Sequence, residues 1–169
     1  MKKAGELGLL GISVPAEYGG MGMPFNTSVL ICDKISGANG SFSTAFGAHT
    51  GIGTLPILLY GDDAQRTKYL PKLASGEWMG CYCLTEPGAG SDANSGKTKA
   101  VLSNDGKHYL ITGQKMWISN AGFADVFIVF ARIEDDKNIT GFILEKVMEG
   151  ITLGEEESKL GLNSSSTRQ

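Results

Sequence analysis

The sequence predicts an α+β chain: an N-terminal all-helical block over residues 1–78, then an antiparallel, barrel-like β-domain over residues 79–169. Three observations predict it. Apolar residues recur at helical spacing through the first half of the 169 residues, and they alternate or run continuously through the second. Gly76 stands where the last helical pattern closes. The Asp105-Gly106 pair sits between two alternating segments, a strong hairpin signal. Hydrophobic residues make up 41% and charged residues 20%, the balance of an ordinary globular chain. The longest near-apolar run, residues 51–60, is half the ~20 residues a membrane span needs, so no span is expected. A net charge of -3 argues against nucleic acid or an acidic membrane surface as the main partner.

The first six residues, Met1-Lys2-Lys3-Ala4-Gly5-Glu6, lack the apolar core of an export signal. After a glycine-rich loop over residues 19–24, Asn26 or Thr27 is placed to cap a helix in which Val29, Leu30, Cys32 and Ile35 recur until Gly37. Residues 41–60 read as a glycine-rich pair of short helices. Asp62 followed by Gln65 forms a capping box, and the helix it opens is expected to stop or kink at Pro71. Strands are expected at residues 78–84, at 97–102 and 108–119 around the hairpin turn, and centrally at Val126-Phe127-Ile128-Val129-Phe130. Shorter candidates lie at residues 141–144 and 151–153. The three cysteines, Cys32, Cys81 and Cys83, are too few for a disulfide framework, and with only His49 and His108 as histidines no metal site is expected. The two-residue strand period puts Cys81 and Cys83 on one buried face.

Two phosphate motifs nearly match. Gly88-Ala89-Gly90-Ser91-Asp92-Ala93 has the G-x-G-x-x-A spacing of a dinucleotide fingerprint, but a strand-like segment follows where a helix is required. Ser95-Gly96-Lys97-Thr98 lacks the earlier glycine of a P-loop and again no helix follows. A Gly-Ala-Gly-Ser turn at a strand end can still present several backbone N–H groups to an anion. In the second cluster, Lys115-Met116-Trp117-Ile118-Ser119-Asn120, a tryptophan with a hydroxyl two residues on shares one strand face with it, a pairing suited to a flat heteroaromatic ligand. Each cluster alone reads more readily as a turn or a core residue of no functional weight.

Together, Cys81-Tyr82-Cys83-Leu84-Thr85-Glu86-Pro87-Gly88-Ala89-Gly90-Ser91-Asp92 and Lys115-Met116-Trp117-Ile118-Ser119-Asn120 strongly resemble the acyl-CoA dehydrogenase family. Residues 7–20, residues 69–77, Lys159-Leu160-Gly161-Leu162 and Ser166-Thr167-Arg168 extend the resemblance over essentially the whole chain. It implies an N-terminal helical domain, a middle β-domain and a C-terminal helical bundle. This chain would hold most of the first two, with further residues on either side.

The resemblance also implies FAD bound against the middle domain, and removal of a proton from Cα and a hydride from Cβ of a fatty acyl thioester. Its cofactor-binding residues would be Tyr82, Cys83, Leu84, Thr85, Gly88, Gly90, Ser91, Trp117, Ile118 and Ser119. Thr85 and the Leu84 N–H would meet the pyrimidine end of the flavin, and the turn from Gly88 to Ser91 its pyrophosphate. Trp117 would lean on the ring system, and Ser119, where many members carry threonine, would bond near the hydride-accepting nitrogen. Ser91 would also approach the substrate's thioester arm.

The family's catalytic glutamate lies in the C-terminal bundle, so no catalytic residue is assigned here and Glu86 reads as a structural carboxylate. A neighbouring subunit completes the adenosine site, so these residues alone are expected to hold flavin weakly or not at all. The resemblance places Gly47, Ala48, Gly51 and Gly53 in the helical region that lines the acyl pocket, where their small size suggests a long-chain acyl-CoA, with His49 either lining that pocket or satisfied within its helix. The expected partners are an electron-transferring flavoprotein or another acceptor, and copies of the chain in a homo-oligomer. The bacterial cytoplasm or the mitochondrial matrix is the expected compartment. The rival readings are a non-catalytic scaffold relative and a P-loop-like nucleotide binder through Gly96-Lys97-Thr98.

Overall fold

In the computed structural model, which describes residues 1–169, the change of period falls where the sequence puts it. Helices α1 (Lys2–Glu6), α2 (Phe25–Ala38), α3 (Gly40–Gly47), α4 (Leu55–Tyr60) and α5 (Asp63–Ser75) come first. A π-helical turn, Ala48–Gly53, joins α3 to α4. Strands β1 (Gly80–Cys83), β2 (Lys99–Leu102), β3 (Tyr109–Thr112), β4 (Ile118–Ser119), β5 (Val126–Ile133), β6 (Ile139–Glu145) and β7 (Thr167–Arg168) follow.

Helix ends follow local chemistry with two departures. The capping box forms as expected: Asp62 Oδ1 accepts from the Gln65 N–H at 2.8 Å while Gln65 Oε1 accepts from the Asp62 N–H at 3.0 Å. Gly76 closes α5 in the left-handed region at φ +77°. Pro71 does not end α5, however. It lies exposed while Tyr69, Leu70, Leu73 and Ala74 are buried on either side of it, so packing of that face holds the helix together through the missing N–H. The second departure is at α2, which starts at Phe25 behind Pro24 with no side-chain cap, rather than behind Asn26 or Thr27. The helix cap in this region is Asn39, which accepts from Phe42 N–H at 2.8 Å and opens α3.

The β-domain is mixed rather than antiparallel, and it does not close into a barrel. β5 pairs antiparallel with β6 over seven residue pairs along one edge. On its other edge it pairs parallel with β1 at its start and parallel with β2 at its end. Only the β2–β3 hairpin and the β5–β6 pair satisfy the antiparallel expectation within this sheet. The cause is connection length: some forty residues lie between β1 and β5, ample for the crossover that parallel pairing needs. Between β3, β6 and the loop after β6 lies an open cavity of about 850 Å³ lined by Leu110, Phe127, Leu144 and Leu153. Residues 151–153, expected as a strand, border this cavity without joining the sheet.

β5 is buried on both faces, as its continuous apolar run requires. Val126 and Ile128 pack with Ile57, Leu70 and Leu73 of the helical block, and Phe127 and Val129 pack with Cys81, Cys83 and Ile118 on the other side. Each leucine buried this way contributes about 1.5–3 kcal/mol. Cys81 and Cys83 do share one buried face, their sulfurs 3.7 Å apart as free thiols.

His49 joins the two halves and does not line the apolar cavity beside Gly47 and Gly51. Fully buried, it accepts from the Gly80 N–H at Nδ1 (2.9 Å) and faces the Leu73 carbonyl at Nε2 (3.0 Å), which fixes the neutral tautomer with the proton on Nε2. Burial lowers its pKa to about 4, against the Leu73 hydrogen bond that would raise it. No helix is long and apolar enough to cross a membrane.

Candidate functional site

β1 delivers the chain into the segment Leu84-Thr85-Glu86 with its hydrogen-bonding groups sorted by direction. The Leu84 carbonyl accepts from Lys115 Nζ at 3.2 Å, and the Thr85 carbonyl accepts from the Met116 N–H at 2.9 Å. The N–H groups of Leu84 and Thr85 have no partner in the chain. Next, Glu86 and Ala89 exchange N–H···O bonds of 3.0 and 3.1 Å and close a tight turn over Pro87-Gly88. The N–H groups of Gly88 within the turn and of Gly90 and Ser91 beyond it are likewise unpartnered, and all three residues are exposed.

Gly88 and Gly90 are not there for conformation, since neither has positive φ. Nor are they there for internal packing, because a Cβ on either would meet nothing within 4 Å. Bare backbone with free donors, needed by nothing inside the chain, fits close approach of an anionic ligand.

Glu86 is the anchor of this loop. Its carboxylate, 7% exposed, accepts from the backbone N–H groups of Lys97 (2.5 Å) and Thr98 (3.1 Å) and pairs with Lys115 Nζ at 2.7 Å. Burial alone would raise its pKa; the Lys115 ammonium and the hydrogen bonds from residues 97 and 98 outweigh it and bring the value down to about 2. The P-loop reading fails here, because the amides of Lys97 and Thr98 that would cradle a phosphate are filled by this carboxylate. Only a three-residue 3-10 turn, Ala93–Ser95, follows the glycine turn, so no dinucleotide-binding helix exists either.

The second loop differs from its expected form. Residues 108–119 are not one strand: β3 ends at Thr112, and Gly113 then crosses so close to Thr98 that a Cβ would lie 2.3 Å from its hydroxyl oxygen. Trp117 has φ +57°, so it and Ser119 are not successive outward positions of one strand. A bulky residue in that region costs of order 1–3 kcal/mol and persists only where its surroundings hold it. The Met116–Thr85 bond holds it from one side, and the β4–β7 pairing of Ile118 with Arg168 and Ser119 with Thr167 from the other. The indole is thereby turned outward, 62% exposed.

Asn120, to which the sequence reading gave no role, secures this loop from beneath. Fully buried at φ +70°, it donates from Nδ2 to the Ala45 carbonyl of α3 at 2.8 Å. Its own N–H donates to the Ser166 carbonyl at 2.9 Å. An asparagine ending a strand motif is a sequence signal for a left-handed turn, and that signal was available.

The loops at residues 84–91 and 115–119 are therefore brought together, joined by the Met116–Thr85 and Lys115–Leu84 bonds. The hydroxyls of Thr85, Ser91 and Ser119 make no bond within the chain, unlike those of Ser95, Ser166 and Thr167 nearby. The side chains of Cys83 and Ile118 lie in the core, and the half-buried Tyr82 packs on Phe130 with ring centres 4.8 Å apart.

A helical block carries a β-domain whose strand-end loops display free backbone donors and an outward indole, groups chemically suited to a flat, anionic ligand. The chain belongs to the acyl-CoA dehydrogenase family: residues 1–77 match its N-terminal domain and residues 81–169 its middle domain. It is 56% identical over 168 residues to a probable acyl-CoA dehydrogenase of Bacillus subtilis, covering 99% of this chain and 28% of that protein. The human mitochondrial very long-chain specific acyl-CoA dehydrogenase is 46% identical over 173 residues, covering 97% of this chain and 26% of its own length. The crystal structure of an acyl-CoA dehydrogenase complexed with FAD from Bacillus anthracis superposes with a TM-score of 0.94 at 52% identity, over 99% of this chain and 28% of that one. The chain thus spans little more than a quarter of each of these proteins.

Proposed function

We propose that the protein carrying this chain is an FAD-dependent acyl-CoA dehydrogenase that converts a fatty acyl thioester to its trans-2-enoyl form. The observation that supports it is the convergence of two strand-end loops on one set of unpartnered donors. The residues fit the cofactor: the amides of Leu84 and Thr85 suit the carbonyl-rich pyrimidine edge of a flavin, and those of Gly88, Gly90 and Ser91 suit a pyrophosphate. Trp117 offers a ring face, while the hydroxyls of Thr85 and Ser119 are available as donors. Bound FAD would supply the acceptor for the hydride leaving Cβ.

Within this chain the residues hold and orient, and none removes the Cα proton. Glu86 is unsuited to that task, since its carboxylate already accepts from three donors and, at a pKa of about 2, is a feeble base. A homo-oligomer, with an electron-transferring flavoprotein or another acceptor, completes the reading. The chain's three free thiols, two of them buried and Cys32 half-buried, suit a reducing compartment such as the bacterial cytoplasm or mitochondrial matrix.

We also propose a long-chain substrate. An apolar cavity of about 270 Å³ lies among Leu10, Ile12, Val29, Phe46 and Leu55, and Gly47 and Gly51 form part of its wall. A Cβ at either glycine would meet no atom within 4 Å, so their bareness leaves room for an acyl tail. Ala48 and Gly53, also named for this role, are buried away from that wall. The nearby Ala45 carbonyl is the one Asn120 grips, which ties the helix of the cavity to the Trp117 loop. Mixing the purified full-length flavoprotein with palmitoyl-CoA should bleach its visible flavin absorbance faster than butyryl-CoA does. Faster bleaching by butyryl-CoA would overturn the chain-length proposal, and no bleaching by any acyl-CoA would overturn the activity.

A further inference from the structure

Lys115 occupies an unusual position for a lysine. Its side chain is only 12% exposed, and its ammonium bridges the Leu84 carbonyl (3.2 Å) and the Glu86 carboxylate (2.7 Å). Glu86 neutralises the charge, so an ion pair alone would need no contact with Leu84. The contact matters because of what lies across the peptide. The Leu84 carbonyl and the Thr85 N–H belong to one planar unit, and with no cis peptide in the chain they point in opposite directions. Lys115 grips the carbonyl from the protein side, and the N–H on the far side has no partner.

The next peptide is fixed as firmly, its Thr85 carbonyl taken by the Met116 N–H and its Glu86 N–H by the Ala89 carbonyl. Two consecutive residues of one loop therefore set the orientation of two consecutive peptides of the other. A carbonyl bonded to a cation is also polarised, and this strengthens its own N–H as a donor.

We propose that Lys115 is a positioning residue for the flavin: by holding the Leu84 carbonyl it aims and polarises the Thr85 N–H at the pyrimidine edge of the cofactor, and thereby sets the cofactor's affinity and reduction potential. This rests on the flavin reading above and assigns to the loop partner a role no cofactor contact reveals. Reduction places negative charge on that edge of a flavin, so a stronger donor favours the reduced form over the oxidised one.

The test is made on the flavin-loaded full-length protein. Lys115→Met alone leaves Glu86 as a buried, unpaired charge and endangers the fold, so the deciding variant is the double change Glu86→Gln with Lys115→Met, which removes both charges. Reduced flavin should bind this variant tenfold more weakly relative to oxidised flavin than it binds wild type. By the two-electron relation, that moves the potential about 30 mV more negative. Lys115→Arg, which keeps a cation able to reach both acceptors, should restore a potential near that of wild type. A folded double variant with wild-type potential and flavin affinity would overturn the proposal, as would Lys115→Arg behaving like the double variant. Failure of the wild-type protein to take up flavin would instead bring down the flavin reading, and this inference with it.

Discussion

Glu86→Ala lowers the unfolding free energy by about 3–5 kcal/mol, the cost expected when one partner of a buried ion pair is removed. The N–H groups of Lys97 and Thr98 lose their acceptor, and the Lys115 ammonium loses its counter-charge and keeps only the Leu84 carbonyl. The same carboxylate gives the wild-type protein an acid limb of predictable shape. Its pKa is near 2 when folded against the ordinary 4.5, so its contribution is complete above pH 4.5 and disappears as pH falls from there toward 2. Over that window the loss attributable to Glu86 is about 3 kcal/mol, at 1.36 kcal/mol per pKa unit. Denaturant melts of both proteins between pH 7 and 2 would check this. The gap between the curves should narrow toward pH 2, and parallel curves would show that Glu86 is not the group responsible.

Gly90→Val separates binding from folding. Because a Cβ at residue 90 meets nothing within 4 Å and the backbone there has ordinary negative φ, stability should change by no more than about 0.5 kcal/mol. Flavin affinity should nevertheless fall about 10- to 100-fold. A branched side chain would stand where the pyrophosphate must approach, costing one charge-assisted hydrogen bond of about 1.5–3 kcal/mol. Trp117→Ala is a parallel case, since its indole is largely exposed and supports little of the core. It too should purify with less flavin while melting near wild type. Flavin content, read as visible absorbance per mole of protein, measures both. Full occupancy of either variant would count against the assignment of these loops.

Much of this was legible in the sequence because it is encoded locally. The Asp62–Gln65 capping box, the left-handed Gly76, the central β5 strand and the hairpin around Asp105-Gly106 each follow from residues a few positions apart. The parallel pairing of β1 and β2 with β5 was not legible, because the hairpin signal speaks only for neighbours in sequence. Pro71 misled in the same way: its local effect is to break a helix, and the burial of Leu70 and Leu73 overrides it.

At the site, the motifs named the right two loops, but strand periodicity gave the wrong reason for Trp117. The indole faces out because of a left-handed backbone that Met116 and Asn120 hold in place. Lys115 and Asn120 act through contacts 31 and 75 residues away in the chain, a distance at which no spacing rule operates.

Hydrogen exchange measured by mass spectrometry on flavin-loaded and flavin-stripped full-length protein tests the central claim most directly. The amides of Leu84, Thr85, Gly88, Gly90 and Ser91 have no acceptor within the chain and should exchange quickly without cofactor. Loading with FAD should slow exchange in peptides covering residues 84–91 and 115–119 together, and leave residues 96–98, whose N–H groups are already bonded to Ala93 and Glu86, unchanged. Protection that bypasses either loop, or that appears at residues 96–98 instead, would contradict a flavin pocket built from these two strand ends.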